Sequence, residues 1–568
     1  MTDKAILAEA KENYKTAVDG WDDIYKEARN DLKFTYDIDG GQWDAEVLER
    51  RKGRPCITVN KLQKFVRQMR GDFMANRPTM KVIPADDKAD VRMAQLYNGI
   101  IRQIEYLSSA SVAYDTAYAN AVASSVGYYR LITKYSDDNS FNQDIYIKRV
   151  LNPFSVRFDP YAVEFNLEDA RYCFIEDMIS KENFEKDYPD VDMVNFSNET
   201  TNLLGEWLEG DNVKICEYFK KEPIEKKIVQ LADGQVIELT KDITPELITY
   251  QGGVIIRERK VQTHIVKWYK ITGADVLEKT TWAGKDIPVI PMFGDEVIID
   301  GKRYYLSLIR GAKGSQQMYN YWASSATENL MQTPKTPFIL EHRQIKGFEN
   351  EWADVAVRPV PYLRYAAVPG LQKPSREPQP QIPSGIVEMQ RSTAYDIEDH
   401  LGRYEASKGE AGNERSGKAI IARIAQSDKG TFTFVDNASR SIIAGVRQII
   451  DLIPKIYDTP RALTILGESG DREIVNVNEP AVGDGGEDVI QNDLTVGKYD
   501  VIASIGASFS SKREESVAAM EKAMQYAPAL ANTIAPLYFK YSDFEGAQEI
   551  ASALGRAAQQ LQAQEQPQ

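Results

Sequence analysis

One stretch has the residue types and spacing of a phosphate-binding loop. Gly412-Asn413-Glu414-Arg415-Ser416-Gly417-Lys418 fits GxxxxGK. In such a loop the glycines let backbone N–H groups approach the phosphates, and the Lys pairs with their charge. Two parts of that chemistry are missing. The next residue should carry a hydroxyl for Mg²⁺, and it is Ala419. The loop also follows a polar helical stretch, Asp396 to Tyr404, where a buried strand is needed. The plainer reading is a polar loop capping a helix that begins near Ser416. Asp484-Gly485-Gly486-Glu487-Asp488 gathers acids without EF-hand spacing and reads as an acidic turn. Cys56, Cys173 and Cys216 form no CxxC pair, which fits a reducing compartment. His264, His342 and His400 are far apart and no HExxH occurs. No GxSxG and no spaced Ser/His/Asp set stands out. No cofactor and no metal centre are expected.

Composition bounds the rest. The chain has 568 residues, 43% of them apolar and 27% charged, enough for a packed core. Lys+Arg number 69 against 84 Asp+Glu, a net charge of −15. That excludes a general nucleic-acid coat held by phosphate neutralisation, while a local basic patch or a transient passage for DNA remains open. The start, Met1-Thr2-Asp3-Lys4, lacks an apolar signal segment, and no run approaches the roughly 18 apolar residues of a membrane span.

The elements follow from periodicity. Residues 1–50 are acidic, with 13 Asp/Glu against 7 Lys/Arg, and Tyr14, Trp21, Ile24 and Tyr25 mark a helix face. Residues 50–81 reverse the charge, with ten Lys/Arg and only Asp72 against them. Within them Leu62, Phe65, Val66, Met69 and Phe73 predict an amphipathic helix, with Asn60 as N-cap and Pro78 as stop. Its basic side is a solvated face, or a contact with nucleic acid or with an acidic neighbouring subunit. Two helices follow over 86–126, the first with a stripe of Met93, Leu96, Ile100, Ile101, Ile104 and Leu107. The second carries Ala110, Ala113, Ala117 and Ala121, which permit close packing. From 127 the period changes to two. Strands are expected near 144–151, 154–158, 172–177, 213–220, 225–240, 253–258 and 261–271, ending near Pro291. Asp233-Gly234 suggests a hairpin turn. A helix over 306–331 would be about 39 Å long. Residues 332–383 then hold nine of the 25 prolines and cannot be one helix. A helix returns over Ser384–Gly402, another covers 418–457, strands recur near 461–477 and 498–505, and residues 511–562 are helical and Ala-rich.

Three stretches resemble the portal proteins of short-tailed, podovirus-type bacteriophages. The first is Arg54-Pro55-Cys56-Ile57-Thr58-Val59-Asn60-Lys61-Leu62, with Gly71-Asp72 and Asn76-Arg77-Pro78. The second runs from Ser140-Phe141-Asn142-Gln143-Asp144-Ile145 through Asn152-Pro153-Phe154-Ser155-Val156 to Asp159-Pro160. The third is Asn492-Asp493-Leu494-Thr495-Val496-Gly497-Lys498-Tyr499-Asp500-Val501, then Gly506 and Ser508 to Glu514. Ala507 departs from the pattern, where similar proteins often carry Pro.

The resemblance implies an α+β portal-type fold, assembled as a ring of twelve. Its parts would be a wing (1–305), a first stem helix (306–331), a Pro-rich α/β clip (332–383) and a second stem helix (384–402). A channel loop (403–417), more wing (418–510) and a helical crown with a short tail (511–568) would follow. It implies a non-enzymatic homo-oligomer at one capsid vertex of the virion, assembled in the host cytoplasm and away from membranes. Double-stranded DNA would pass its channel during packaging and ejection. The terminase large subunit and later a head-to-tail adaptor would dock on the clip, beside major capsid and scaffolding proteins. An acidic channel wall repels phosphate, and a few cations could grip or steer DNA. The candidates are Arg403, Lys408, Arg415 and Lys418 in the loop, with Arg310 and Lys313 on the stem; subunit–subunit salt bridges are the alternative for each. Two other readings stay open: a P-loop-like nucleotide-dependent DNA enzyme, and an acidic capsid or tail scaffold without a channel.

Overall fold

The computed structural model describes residues 2–75, 77–86, 89–189, 191, 208–209, 212–232, 236–239, 243–250, 253–332, 338–356, 361–376, 384–402, 432–467, 472–482, 488–504 and 520–526, with short pieces at 534–536, 538–539, 550 and 553–554. The Asp233-Gly234 turn, Gly412–Lys418, the acids at 484–487 and most of 511–562 lie outside the described residues.

Helix α1 (Asp3–Tyr36) is about 51 Å long. Ile6, Ala10, Tyr14, Ala17, Trp21, Tyr25 and Ala28 recur every three or four positions and are all buried. The Trp21 indole N–H donates to the Phe158 carbonyl at 3.0 Å, fixing α1 against the sheet. A short helix α2 (Ala45–Arg50) precedes α3 (Leu62–Ala75), whose five expected apolar residues are all buried. The Asn60 side chain accepts from the Gln63 N–H at 3.2 Å, the expected N-cap bond. Helix α4 (Val91–Ser108) packs on α5 (Ala110–Ser124), and α5 packs on α3. Leu107, expected in the α4 stripe, is half exposed.

Strands β1 (Thr79–Pro84), β2 (Val126–Tyr135), β3 (Gln143–Arg149), β4 (Val156–Phe158), β5 (Tyr172–Ser180) and β6 (Leu208–Glu209) lead to β7 (Asn212–Leu231). After β8 (Val236–Leu239) come β9 (Ile255–Ile271), β10 (Val276–Trp282) and β11 (Val289–Phe293). Small helices α6 (Lys181–Asp187) and α7 (Pro245–Tyr250) lie between them. The main sheet runs β10-β9-β7-β5-β4, and a second runs β11-β2-β3. Here the structure corrects the sequence reading. The four runs expected between 213 and 271 are largely two long strands, β7 and β9, paired from Cys216↔Ile271 to Leu231↔Ile255. Pro223, in the gap between the first two runs, is tolerated inside β7 because β5 begins opposite Lys220, leaving β7 one free edge at the proline.

The helix expected over 306–331 also starts later. Strands β12 (Asp295–Ile299) and β13 (Lys302–Leu306) form a hairpin across Asp300-Gly301, where φ is 51° and 77°. Two positive φ values are what a tight two-residue hairpin turn requires. A 3₁₀ turn over Arg310–Ala312 then leads into α8 (Lys313–Gln332), about 30 Å long. Beyond it, β14 (Phe338–Ile339) pairs with β15 (Ser375–Arg376), with α9 (His342–Ile345) and α10 (Glu349–Ala353) between them. Helix α11 (Ser384–His400) returns and packs along α8. Its lower end enters the main core through Ile397 and Leu401.

The described part of the last long helix, Phe432–Ile456, fills the centre of that core. Strands β16 (Arg461–Leu466) and β17 (Arg472–Val477) pair, as do β18 (Glu479–Val482) and β19 (Asp488–Gln491). Strand β20 (Tyr499–Ser504) pairs with β1, joining the first and third of the stretches quoted above. The turn before β20 shows why its residue types matter. Asp493 accepts from the Thr495 N–H at 2.8 Å and hydroxyl at 2.7 Å. Gly497 has φ 84°, and a Cβ there would meet the Ala89 Cα at 2.8 Å.

Candidate functional site

The first of those stretches meets α8. Residues 57–61 run antiparallel to α8 and are held by side chains one helical turn apart. The Ile57 N–H donates to Ser324 Oγ at 2.8 Å. The Val59 N–H donates to Asn320 Oδ1 at 3.0 Å, and the Lys61 N–H to Gln316 Oε1 at 3.1 Å. The spacing has a simple cause. Alternate residues of an extended chain are about 6.6 Å apart, and residues four apart on a helix about 6.0 Å. The two repeats run in step, so α8 serves as the edge that a β-strand would otherwise need.

The ladder closes on itself. Gln316 Nε2 donates to the Val59 carbonyl and to Asn320 Oδ1, each at 2.9 Å. Asn320 Nδ2 donates to Gln42 Oε1 at 2.8 Å, and Gln42 Nε2 to the Phe34 carbonyl at 3.0 Å. Gln42, Gln316, Asn320 and Ser324 are fully buried. At the far end Arg51 reaches Glu328 at 3.1 Å and Arg54 reaches it at 3.6 Å.

The start of α8 is pinned by a second device. Asp31 on α1 is fully buried. It accepts from the Ser307 hydroxyl at 2.6 Å and from Arg310 Nε at 2.9 Å, and it pairs with Lys313. The Lys313 ammonium also lies 5.4 Å from the centre of the Phe34 ring. One carboxylate thus holds the loop before α8, the 3₁₀ turn and the first residue of the helix.

The structure brings together two of the six candidate channel cations, Arg310 and Lys313, on Asp31 of their own chain. Arg403, Lys408, Arg415 and Lys418 lie outside the described residues. Reading for chemistry missed the anchor residues, although signals were present. The α1 stripe, continued by three from Ala28, lands on Asp31. Gln316, Asn320, Ser324 and Glu328 form an i+4 row of polar residues. Burial raises the thiol pKa of Cys173 and Cys216 well above the ordinary value, so both are poor nucleophiles. Among the described residues no group of His, Cys, Asp and Glu is placed to hold a metal ion, and no helix is long and apolar enough to cross a membrane.

Residues 11–568 match the family described as Phage P22-like portal protein. The chain belongs to that family. A portal protein from Acyrthosiphon pisum secondary endosymbiont phage 1 is 24% identical over 522 residues, 85% of this chain and 71% of that protein. Portal proteins are structural parts of the phage capsid: they assemble as oligomers and serve as head–tail connectors. In a portal subunit the buried polar ladder and the Asp31 clasp have a mechanical use. Both fix the position of α8 against α1 and residues 57–61.

Proposed function

We propose that twelve copies of this portal subunit form a ring at one capsid vertex, with an axial channel through which double-stranded DNA is packaged and later ejected. What carries the reading is the family match together with a helix that leaves the core, a Pro-rich excursion, and a helix that returns along the first. In this reading α8 and α11 are the stem and 332–383 the clip, where the terminase large subunit docks during packaging and a head-to-tail adaptor afterwards. Residues 1–305 and 418–510 form the wing beside capsid and scaffolding proteins, 403–417 the channel loop, and 511–568 the crown. Assembly takes place in the host cytoplasm. The energy for packaging comes from a separate ATPase, and the subunit itself is no enzyme.

Charge supports the passage of DNA. Twelve copies at −15 sum to about −180, so the wall as a whole repels phosphate. Arg403, Lys408, Arg415 and Lys418 are the groups that touch DNA. Arg310 and Lys313 contribute positive potential beside the stem while bound to Asp31. Negative-stain electron microscopy of the purified protein tests the ring: a twelve-fold particle with an axial hole is expected. A compact monomer that hydrolyses ATP would overturn the reading. Replacing Lys408 and Arg415 by Ala should lower packaged DNA while rings still form, and unchanged packaging would remove the loop from the channel.

A further inference from the structure

Two surface features have no role in the fold of one chain. The first is a knob. Phe141 is 97% exposed, at the tip of the β2–β3 hairpin. Its loop is rigid: the Ser136 N–H donates to the Asn142 carbonyl at 2.8 Å, and the Asn142 N–H to Ser140 Oγ at 3.0 Å. Asp137 and Asp138 share this loop and are exposed, with no ion pair among the described residues. A rigid loop that holds an aromatic ring in water loses the burial such a ring normally contributes.

The second is a hole. A cavity of about 670 Å³ opens where α3, α4 and α5 meet, lined by Met74, Tyr106, Val112 and Ile442, with Arg77 and Glu105 also in its wall. Met74, Tyr106 and Val112 are each about half exposed, so its mouth is apolar. Arg70 and Arg67 stand one and two turns before Met74 on the same face of α3. Both are exposed and, among the described residues, without an ion-pair partner. The rim is therefore basic, where the knob is acidic.

We infer that Phe141 of one copy seats in the Met74–Tyr106–Val112 cavity of the next, with Asp137 and Asp138 against Arg67 and Arg70. The knob cannot reach its own cavity. Its loop is tied to the end of the Phe432–Ile456 helix, where Thr459 donates to Asn142 at 3.4 Å. The cavity touches that helix at Ile442, about 21 Å away along its axis. Strand β3 gives the same answer. The Ile147 N–H donates to Ser108 beside the cavity, and Phe141 lies six residues, about 20 Å, away along the strand. A knob and a hole on different parts of one surface make a head-to-tail contact, the kind that closes a ring. The inference rests on the oligomeric assembly of the portal family.

The test is a disulfide between chains. In a Cys56→Ser background, V112C and F141C chains are made separately, mixed and oxidised. A covalent dimer is expected in the mixture and in neither variant alone, and the doubly substituted chain should give a ladder of oligomers. All these positions are exposed or half exposed, so an unchanged melting temperature verifies folding. Charge reversal adds a second readout. R67E with R70E, and D137K with D138K, should each weaken assembly about tenfold, and the combination should restore it. Rings by microscopy without the covalent dimer would sink this contact and leave the ring standing. A chain that never leaves the monomer would remove both. If the Arg variants assemble normally and lose DNA binding, the basic rim serves nucleic acid and the contact is wrong.

Discussion

Replacing Asn320 by Ala tests the ladder at its centre. Asn320 receives the Val59 N–H and the Gln316 amide, and it gives one N–H to Gln42. Truncation strands Gln42 Oε1, which is fully buried, and removes the partner of the Val59 N–H. The Gln316 amide keeps its bond to the Val59 carbonyl. Leaving a buried polar group unpaired costs about 1–3 kcal/mol. The Gln42 oxygen cannot reach water, whereas Val59 is 39% exposed and its N–H can be partly rehydrated. The sum is about 2–3 kcal/mol, with most of it from Gln42. Hydrogen exchange reads this locally. About 2 kcal/mol corresponds to roughly 30-fold faster exchange at Val59. Ile57 and Lys61, held by Ser324 and Gln316, should change less. Exchange at Val59 that is unaltered by N320A would refute the ladder. An equal loss at every core amide would mean that the effect is global and that 57–61 is not separately held.

Asp31→Ala should destabilise by about 3 kcal/mol in chemical denaturation, the low end for a broken buried pair, because Arg310 and Lys313 keep some access to water. Asp31→Asn should cost less, since Ser307 keeps an acceptor; a loss under about 0.5 kcal/mol for the Ala variant would show that the clasp holds nothing. Burial raises the pKa of Glu105 above its ordinary value, against the opposing pull of the Tyr114 hydroxyl, Arg102 and Arg77. A carboxyl that holds its proton more tightly when folded gives stability that is fully present below the unfolded pKa and lost as pH rises through the folded one. As pH rises above the ordinary glutamate range, the wild-type midpoint should therefore decline relative to that of Glu105→Gln; a constant difference between the two would contradict this. Gly445→Ala has two opposed terms. Ala gains about 1 kcal/mol of helix propensity, but its Cβ would lie 2.3 Å from the Tyr129 hydroxyl, whose bond to the Ser441 carbonyl is 2.7 Å. Overpacking of about 1–3 kcal/mol should win, so a lower melting temperature is expected and a higher one would show that the ring can move.

What was legible in the sequence was legible through apolar periodicity. The α1 stripe, the five apolar residues of α3 and the alanines of α5 all reach the core as their spacing predicts. The return of α11 along α8 follows from the prolines between them. Periodicity fails where polar residues do the packing. Gln316, Asn320, Ser324 and Glu328 look like a solvent face until residues 57–61 cover it. Asp31 looked like one more acid in an acidic segment, although its position in the stripe marked it. The β12–β13 hairpin was hidden because Tyr304, Tyr305 and Leu306 also suit a helix, and only the Asp300-Gly301 turn decides. β7 runs through Pro223 because a proline breaks a ladder only where its N–H side is paired, and here that edge is free.

A ladder made of repeating polar rungs raises the question of register. Its two repeats, about 6.0 and 6.6 Å, are close enough that a slip of one helical turn would present the next acceptor to each N–H. Ile57 would meet Glu328, Val59 would meet Ser324, and Lys61 would meet Asn320. The rungs alone therefore do not fix α8. The ends do. After such a slip Arg51 and Arg54 lose Glu328 as a shared partner, and Gln316 is left buried without the Lys61 N–H. Gln42 holds Asn320 from a third direction and is tied in turn to α1 through the Phe34 carbonyl. Asp31 fixes the first turn of α8 from the same helix α1. The position of α8 is thus set by contacts at its two ends and one cross-brace, while the middle rungs satisfy backbone groups. An apolar seam of equal area would hold the helix as firmly, yet it would tolerate sliding, because apolar contact has no direction. Directional bonds suit a helix whose placement must be the same in every copy of an oligomer.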